Sequence, residues 1–185
     1  MKKILILLLA IELVSCQKNN LKSQFTCTSS SEFGKTKEFR DIMKKFKVAI
    51  PANWKTQLYY DETKSQIYSA DTTKQLTETY IYDVTWHQGE LELNDSFAQK
   101  VKDTLAIKEQ LNTVKSGFSE FKDKPIYWNL ASGISSNFPY QILQVYVKSD
   151  LDEYITFTTK VYGSDQVDER FCESIELFDE MVIIE

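Results

Sequence analysis

Histidine occurs once in this 185-residue sequence, at His87, and cysteine, proline and glycine are scarce, at three, three and five. A single imidazole excludes any metal site built from several histidines and leaves His87 as the one candidate imidazole base. The five glycines nowhere cluster, so no phosphate-cradling loop is present, and neither Gly-x-Ser-x-Gly nor Cys-x-x-Cys occurs. Basic charge is short as well: 22 Lys and Arg face 27 Asp and Glu, for a net charge of −5, which argues against nucleic acid as a partner. Beyond residue 15 no apolar run approaches the roughly 18 residues that a membrane-spanning helix needs.

What is present begins with a leader. Lys2 and Lys3 precede an apolar run from Ile4 that is interrupted only by Glu12 and closes on Leu13-Val14-Ser15-Cys16. A short basic start followed by an apolar stretch too brief to span a bilayer reads as a cleaved signal peptide over residues 1–15. Leu13-Val14-Ser15-Cys16 resembles the bacterial lipobox, and that resemblance implies a mature chain beginning at an acylated Cys16. Acyl chains contribute about 0.8 kcal/mol per buried CH2, so two or three of them hold a polar domain at a membrane durably. Gln17-Lys18-Asn19-Asn20 resembles in part the surface-export signal of Bacteroidetes lipoproteins, with asparagines where that signal has acids. The expected location is the cell envelope, the outer membrane rather than the inner, with the domain in the periplasm or on the cell surface. Cleavage removes two lysines and one glutamate, leaving a mature charge near −6, so attachment falls to the lipid and not to anionic headgroups.

Residues 16–37 are polar, with little periodicity, and read as a tether; residues 38–185 read as one domain with enough chain to bury a core. With Cys16 acylated, Cys27 and Cys172 remain in an oxidising compartment. They either form a disulfide, closing a loop of more than 140 residues at on the order of 4 to 5 kcal/mol, or stay as a free Cys27 and a buried Cys172.

Glu38–Lys45 reads as a short helix or an extended lead-in. Strand alternation starts at Phe46-Lys47-Val48-Ala49-Ile50 and stops at Pro51, which lacks an N–H. A hairpin follows from Trp54 to Ala70, and Glu78 to His87 alternates Tyr80, Tyr82, Val84 and Trp86 against Thr79, Ile81, Asp83 and Thr85. Asn94, Asp95 or Ser96 caps a helix whose stripe is Phe97, Val101 and Leu105, running to about Gln110. Four further strands occupy Thr113–Phe121, Ile126–Ala131, Tyr140–Lys148 and Glu153–Tyr162, with Ser132–Pro139 between two of them as a turn. A last helix starts at Ser164 or Asp165 and buries Val167, Phe171, Ile175 and Phe178, and Met181–Ile184 reads as a closing strand. Runs of antiparallel strands with few helices indicate an α+β fold: an antiparallel β-sheet flanked by helices.

Ile50-Pro51-Ala52-Asn53-Trp54, together with this order of elements, resembles the opening of PsbP-like and Mog1-like domains. The resemblance implies an αβα sandwich of a kind that mostly binds other proteins, and it transfers no catalytic residue. No enzyme, cofactor or metal is therefore expected. His87 reads as a polar residue at a strand end, Asp150, Asp152 and Glu153 as a solvated turn, and Glu90 and Glu92 as surface carboxylates. Asp103-Thr104-Leu105 and Asp71-Thr72-Thr73 resemble a Bacteroidetes O-glycosylation motif. The aromatic content is high, with 10 Tyr, 11 Phe and 3 Trp. Tyr59, Tyr60, Tyr80, Tyr82 and Trp86 either line a groove for a peptide, small ligand or glycan, or fill the core. The leading expectation is a lipid-anchored, non-catalytic domain that meets the membrane through Cys16 and serves an envelope protein partner; the alternative is a periplasmic binder with an aromatic-lined pocket.

Overall fold

The computed structural model describes residues 21–25, 27 and 33–184, so the leader, Cys16 and most of the expected tether lie outside the described residues. After a single 3-10 turn at Leu21–Phe25 come β1 (Thr36–Arg40), β2 (Phe46–Pro51), β3 (Lys55–Tyr60), β4 (Lys64–Ala70) and β5 (Tyr80–Gln88). Helix α1 (Asp95–Thr104) passes into a π turn at Leu105–Glu109. Then follow β6 (Asn112–Phe121), β7 (Lys124–Ser135), β8 (Phe138–Lys148), β9 (Glu153–Tyr162), α2 (Val167–Asp179) and β10 (Val182–Ile183). The fold is α+β, with an antiparallel seven-stranded sheet ordered β3-β4-β5-β9-β8-β7-β6 and a three-stranded sheet ordered β1-β2-β10.

Alternation along the strands builds two unequal cores. On one face of the large sheet Tyr80, Tyr82, Val84 and Trp86 join Leu143, Val145, Val147, Ile155 and Phe157, and Phe46, Val48 and Ile50 of the small sheet close over them with Phe171, Ile175 and Phe178 of α2. On the other face Ala98, Val101 and Leu105 cover Tyr127, Ala131, Tyr140 and Ile142. Apolar burial at roughly 25 cal/mol per Å2 makes the first core the dominant favourable term.

Several expectations change in detail. Glu38–Lys45 takes the extended option, as β1 and a turn. Buried Asp41 organises that turn, its carboxylate accepting the N–H groups of Met43, Lys45 and Phe46 at 3.0, 2.6 and 2.7 Å. Phe46–Pro51 does not join the main sheet; it is the centre of the small one, paired with β1 and β10. The expected turn over Ser132–Pro139 shrinks to Ser136 and Asn137, with φ of 51° and 66°, because both flanking strands continue through the hairpin. Such left-handed pairs match the twist of a two-residue hairpin, and Lys122 and Asp123 repeat the solution between β6 and β7. Asn94 caps α1 as expected, accepting the Phe97 N–H at 2.9 Å. The cap of α2 is Gln166 at φ 49°, with no side-chain cap bond, in place of Ser164 or Asp165.

The largest change concerns the tether. Leu21 and Phe25 are 2% and 6% exposed, so this part of the stretch read as linker belongs to the core. Phe25 packs on Trp128 and Phe171, with ring centroids 5.6 and 6.1 Å apart, and Cys27 is disulfide-bonded to Cys172 of α2.

Arg170 locks the loop before β5. Its buried guanidinium donates to the carbonyls of Thr77, Thr79, Tyr162, Asp165 and Gln166, with the carboxylates of Asp165, Glu173 and Glu169 acting on it from nearby. Arg170→Leu removes every one of these donors, and each carbonyl left dry costs about 1–3 kcal/mol, so urea unfolding should show a loss of about 3 kcal/mol or more. Cys27→Ser with Cys172→Ser opens a closed loop of sequence separation 145. Chemical denaturation of that double variant should show a loss on the order of 4 kcal/mol, and an unchanged midpoint would mean the crosslink constrains nothing.

Candidate functional site

Helix α1 lies over only part of its face of the large sheet. Its buried residues meet β7 and β8, and among the described residues no helix covers β3, β4, β5 and β9 on that side. Cross-strand partners in an antiparallel ladder share a face, so the register identifies what is presented there. One row runs Tyr59, Gln66, Thr85, Thr156, Tyr146, and the adjacent row runs Gln57, Tyr68, Asp83, Thr158, Gln144. These residues are polar or aromatic because they are the outward positions of strands whose other face fills the core.

Two clefts indent this face. The first, about 340 Å3, opens between α1 and the sheet, with Phe97, Tyr140 and Tyr146 as aromatic walls and Asp83, Thr158 and Lys160 among its polar lining. The second, about 320 Å3, lies at the β3 edge and is lined by Tyr59, Tyr60, Lys64, Gln66, Thr85 and His87. Asp83 links them: its carboxylate accepts Gln66 Nε2 at 2.8 Å and Thr85 Oγ1 at 3.0 Å, and both donors line the second cleft. Burial pushes the Asp83 carboxyl above the usual carboxylate range, against the lowering effect of those bonds and of Lys160.

His87 is held flat on Tyr154, with centroids 4.6 Å apart and planes 8° from parallel, and Nε2 lies 3.0 Å from Thr156 Oγ1. Burial, with a smaller contribution from Lys64, pushes the imidazole down to about 4, so the ring is neutral at pH 7. The face thus offers neutral hydrogen-bonding groups, the carboxylates of Asp83, Glu109 and Asp61, lysines and aromatic edges along two clefts, which suits recognition of an extended polar and aromatic ligand.

Of the five aromatics marked in the sequence, Tyr59 and Tyr60 are here, 50% and 65% exposed. Tyr80, Tyr82 and Trp86 are not: they point through the opposite face and are 2%, 0% and 3% exposed, so for them the groove reading is corrected to core. Burial and the carboxylates near the C-terminal half of α2 push the phenols of Tyr80 and Tyr82 up. The sequence shows that β5 has two faces, but which face a helix covers depends on long-range packing. Gln66, Asp83, Thr85 and Lys160 escaped notice as site residues; the signal for two of them was the polar side of the β5 alternation. The other candidate carboxylates have local roles. Glu153 pairs with Lys45 and accepts Trp86 Nε1 at 3.1 Å, Asp150 accepts the Leu151 N–H, and Glu92 is 3.4 Å from Asn94 Nδ2. Thr104 donates to the Lys100 carbonyl within α1, while Asp71 accepts the N–H and hydroxyl of Thr73 in a loop. Cys16 lies outside the described residues.

No protein-family model matches the sequence, and no curated protein matches it either. Solved structures do. Cyanobacterial PsbP from Synechocystis superposes with a TM-score of 0.63 at 10% identity, over 85% of this chain and 98% of that one. A Mog1 variant gives 0.52 at 8% identity, over 82% and 97%. A Bacteroides thetaiotaomicron protein gives 0.52 at 10% identity, over 80% of this chain and 48% of its own. At such identities the likeness establishes a shared PsbP and Mog1 type of fold.

Because the folded imidazole titrates near 4 and an unfolded one near 6.5, the unfolded state binds the extra proton first as pH falls. The stability contributed by neutral His87 is complete above about pH 6.5 and is lost as pH drops toward 4. NMR of the single imidazole should give a midpoint near 4, and His87→Phe should flatten the stability profile between those two values; a midpoint near 6.5 would contradict the buried, stacked geometry.

Proposed function

We propose that this chain is a non-catalytic binding domain, held at a cell-envelope membrane by acylated Cys16, whose uncovered sheet face receives a polypeptide partner. The observation that carries the reading is the half-covered sheet: the buried residues of α1 meet β7 and β8, while no described helix lies over the rows running from Tyr59 to Thr156 and from Gln57 to Thr158. Edge strand β3 borders that face with Leu58, Tyr59 and Tyr60 exposed, a border on which an extended segment gains backbone hydrogen bonds and aromatic contacts together. The short leader ending at Leu13-Val14-Ser15-Cys16 supports the anchor, and the shared fold agrees with an interaction domain without specifying a partner.

A second reading rests on the cleft beneath α1. Its volume of about 340 Å3 falls within the range of small-ligand sites, and a half-buried carboxylate at Asp83 together with three aromatic rings would orient a small polar molecule or a glycan unit.

Photo-crosslinking in intact cells tests the first reading. A photoreactive residue at Tyr60 should join a discrete polypeptide, one at exposed Leu151 should not, and Asp83→Asn with Tyr59→Ser should cut the yield several-fold. Adducts of equal abundance at both positions would sink the proposal. A small molecule released from the purified chain and lost with Asp83→Asn would favour the second reading. The anchor is tested separately, by the intact mass of the mature chain and by Cys16→Ser, which should release the domain from membranes.

A further inference from the structure

The described chain starts already seated in the domain. Leu21 is buried, Phe25 is wedged between Trp128 and Phe171, and Lys115 Nζ donates to the Gln24 carbonyl at 2.8 Å while lying 4.4 Å from the Phe25 ring centroid. The Cys27–Cys172 disulfide follows directly. Packing, a charge-assisted hydrogen bond and a covalent bond therefore hold the same short segment. Only five peptide units separate Cys16 from Leu21, and a chain spans at most about 3.6 Å per residue, so a lipid on Cys16 lies within about 18 Å of Leu21.

We propose, on the reading that Cys16 is acylated, that the corner formed by Leu21–Lys22, the β6–β7 turn and the end of α2 is held against the bilayer, with the β3 edge carried away from it. The corner is defined by contacts: Lys122 Nζ donates to the Met181 carbonyl at 2.6 Å, and Lys22 and Lys122 both act on Asp179. From β6 to β3 there are six interstrand spacings of roughly 4.8 Å, which puts the far edge about 29 Å across the sheet, beyond the reach of the five-unit link. The anchor thus orients the domain as well as retaining it, and both clefts stay accessible to a partner arriving from the aqueous side.

The full chain, expressed with its leader and reconstituted in vesicles of phosphatidylethanolamine and phosphatidylglycerol carrying a headgroup photo-crosslinker, tests this. Peptides bearing Lys22 and Lys122 should carry several-fold more lipid adducts than those spanning Lys55–Lys64. A Gly-Ser spacer of about 20 residues after Asn20, adding roughly 70 Å of reach, should bring the two yields together. Equal yields in the natural chain, or a spacer without effect, would overturn the orientation. Intact mass separates the failures: a mature chain without acyl groups on Cys16 sinks the anchor and this proposal with it, whereas an acylated chain labelled mainly at β3–β4 sinks the orientation alone.

Discussion

Phe157 sits against Tyr82 on the neighbouring strand and Phe178 on α2, with ring centroids 5.3 and 4.6 Å apart, and Phe178 in turn stacks on Phe121 at 4.3 Å. This run of rings ties the middle of the large sheet, its β6 edge and the C-terminal helix into one unit. Everything else is arranged around it. The small sheet closes over the same core through Phe46, Val48 and Ile50, the N-terminal segment plugs its side through Leu21 and Phe25, and the disulfide ties that plug to α2. Aromatic pairs add to area burial when offset or tilted, which is the geometry found here.

Burying one face so thoroughly determines what the other can do. With a side-chain period of two, each strand that commits its apolar residues to the main core sends its polar ones to the far side. There, α1 is long enough to shelter β7 and β8 but leaves β3, β4, β5 and β9 open, so their polar residues form a surface instead of a second full core. The Gln66–Asp83–Thr85 network is the part of that surface most firmly held. A fixed carboxylate with its donors in place costs a ligand little reorganisation, the general advantage of preorganised recognition.

The N-terminal segment illustrates how far composition misleads when burial is local. Gln17 to Ser31 is polar on average, and averaging hides Leu21 and Phe25, two apolar residues four apart that a single 3-10 turn brings to the core. Cys27 carried the clearer signal. Its pairing with Cys172 was one of two outcomes open in the sequence, and because it crosslinks the beginning of the described chain to its last helix, it makes those residues part of the domain.

The alternation of β5, the stripe and Asn94 cap of α1, the hairpin from Trp54 to Ala70 and the α+β class follow from residue order alone, because periodicity and capping are local physics. So does the acidic balance of 27 Asp and Glu against 22 Lys and Arg. Tertiary structure alone decided that Phe46–Pro51 belongs to a separate small sheet, that Tyr80, Tyr82 and Trp86 face the core while Tyr59 and Tyr60 face solvent, and that Arg170 spends its charge on backbone carbonyls. Each of these depends on which element arrives from far along the chain to cover a given face, and a strand's own sequence records that it has two faces without recording its neighbours.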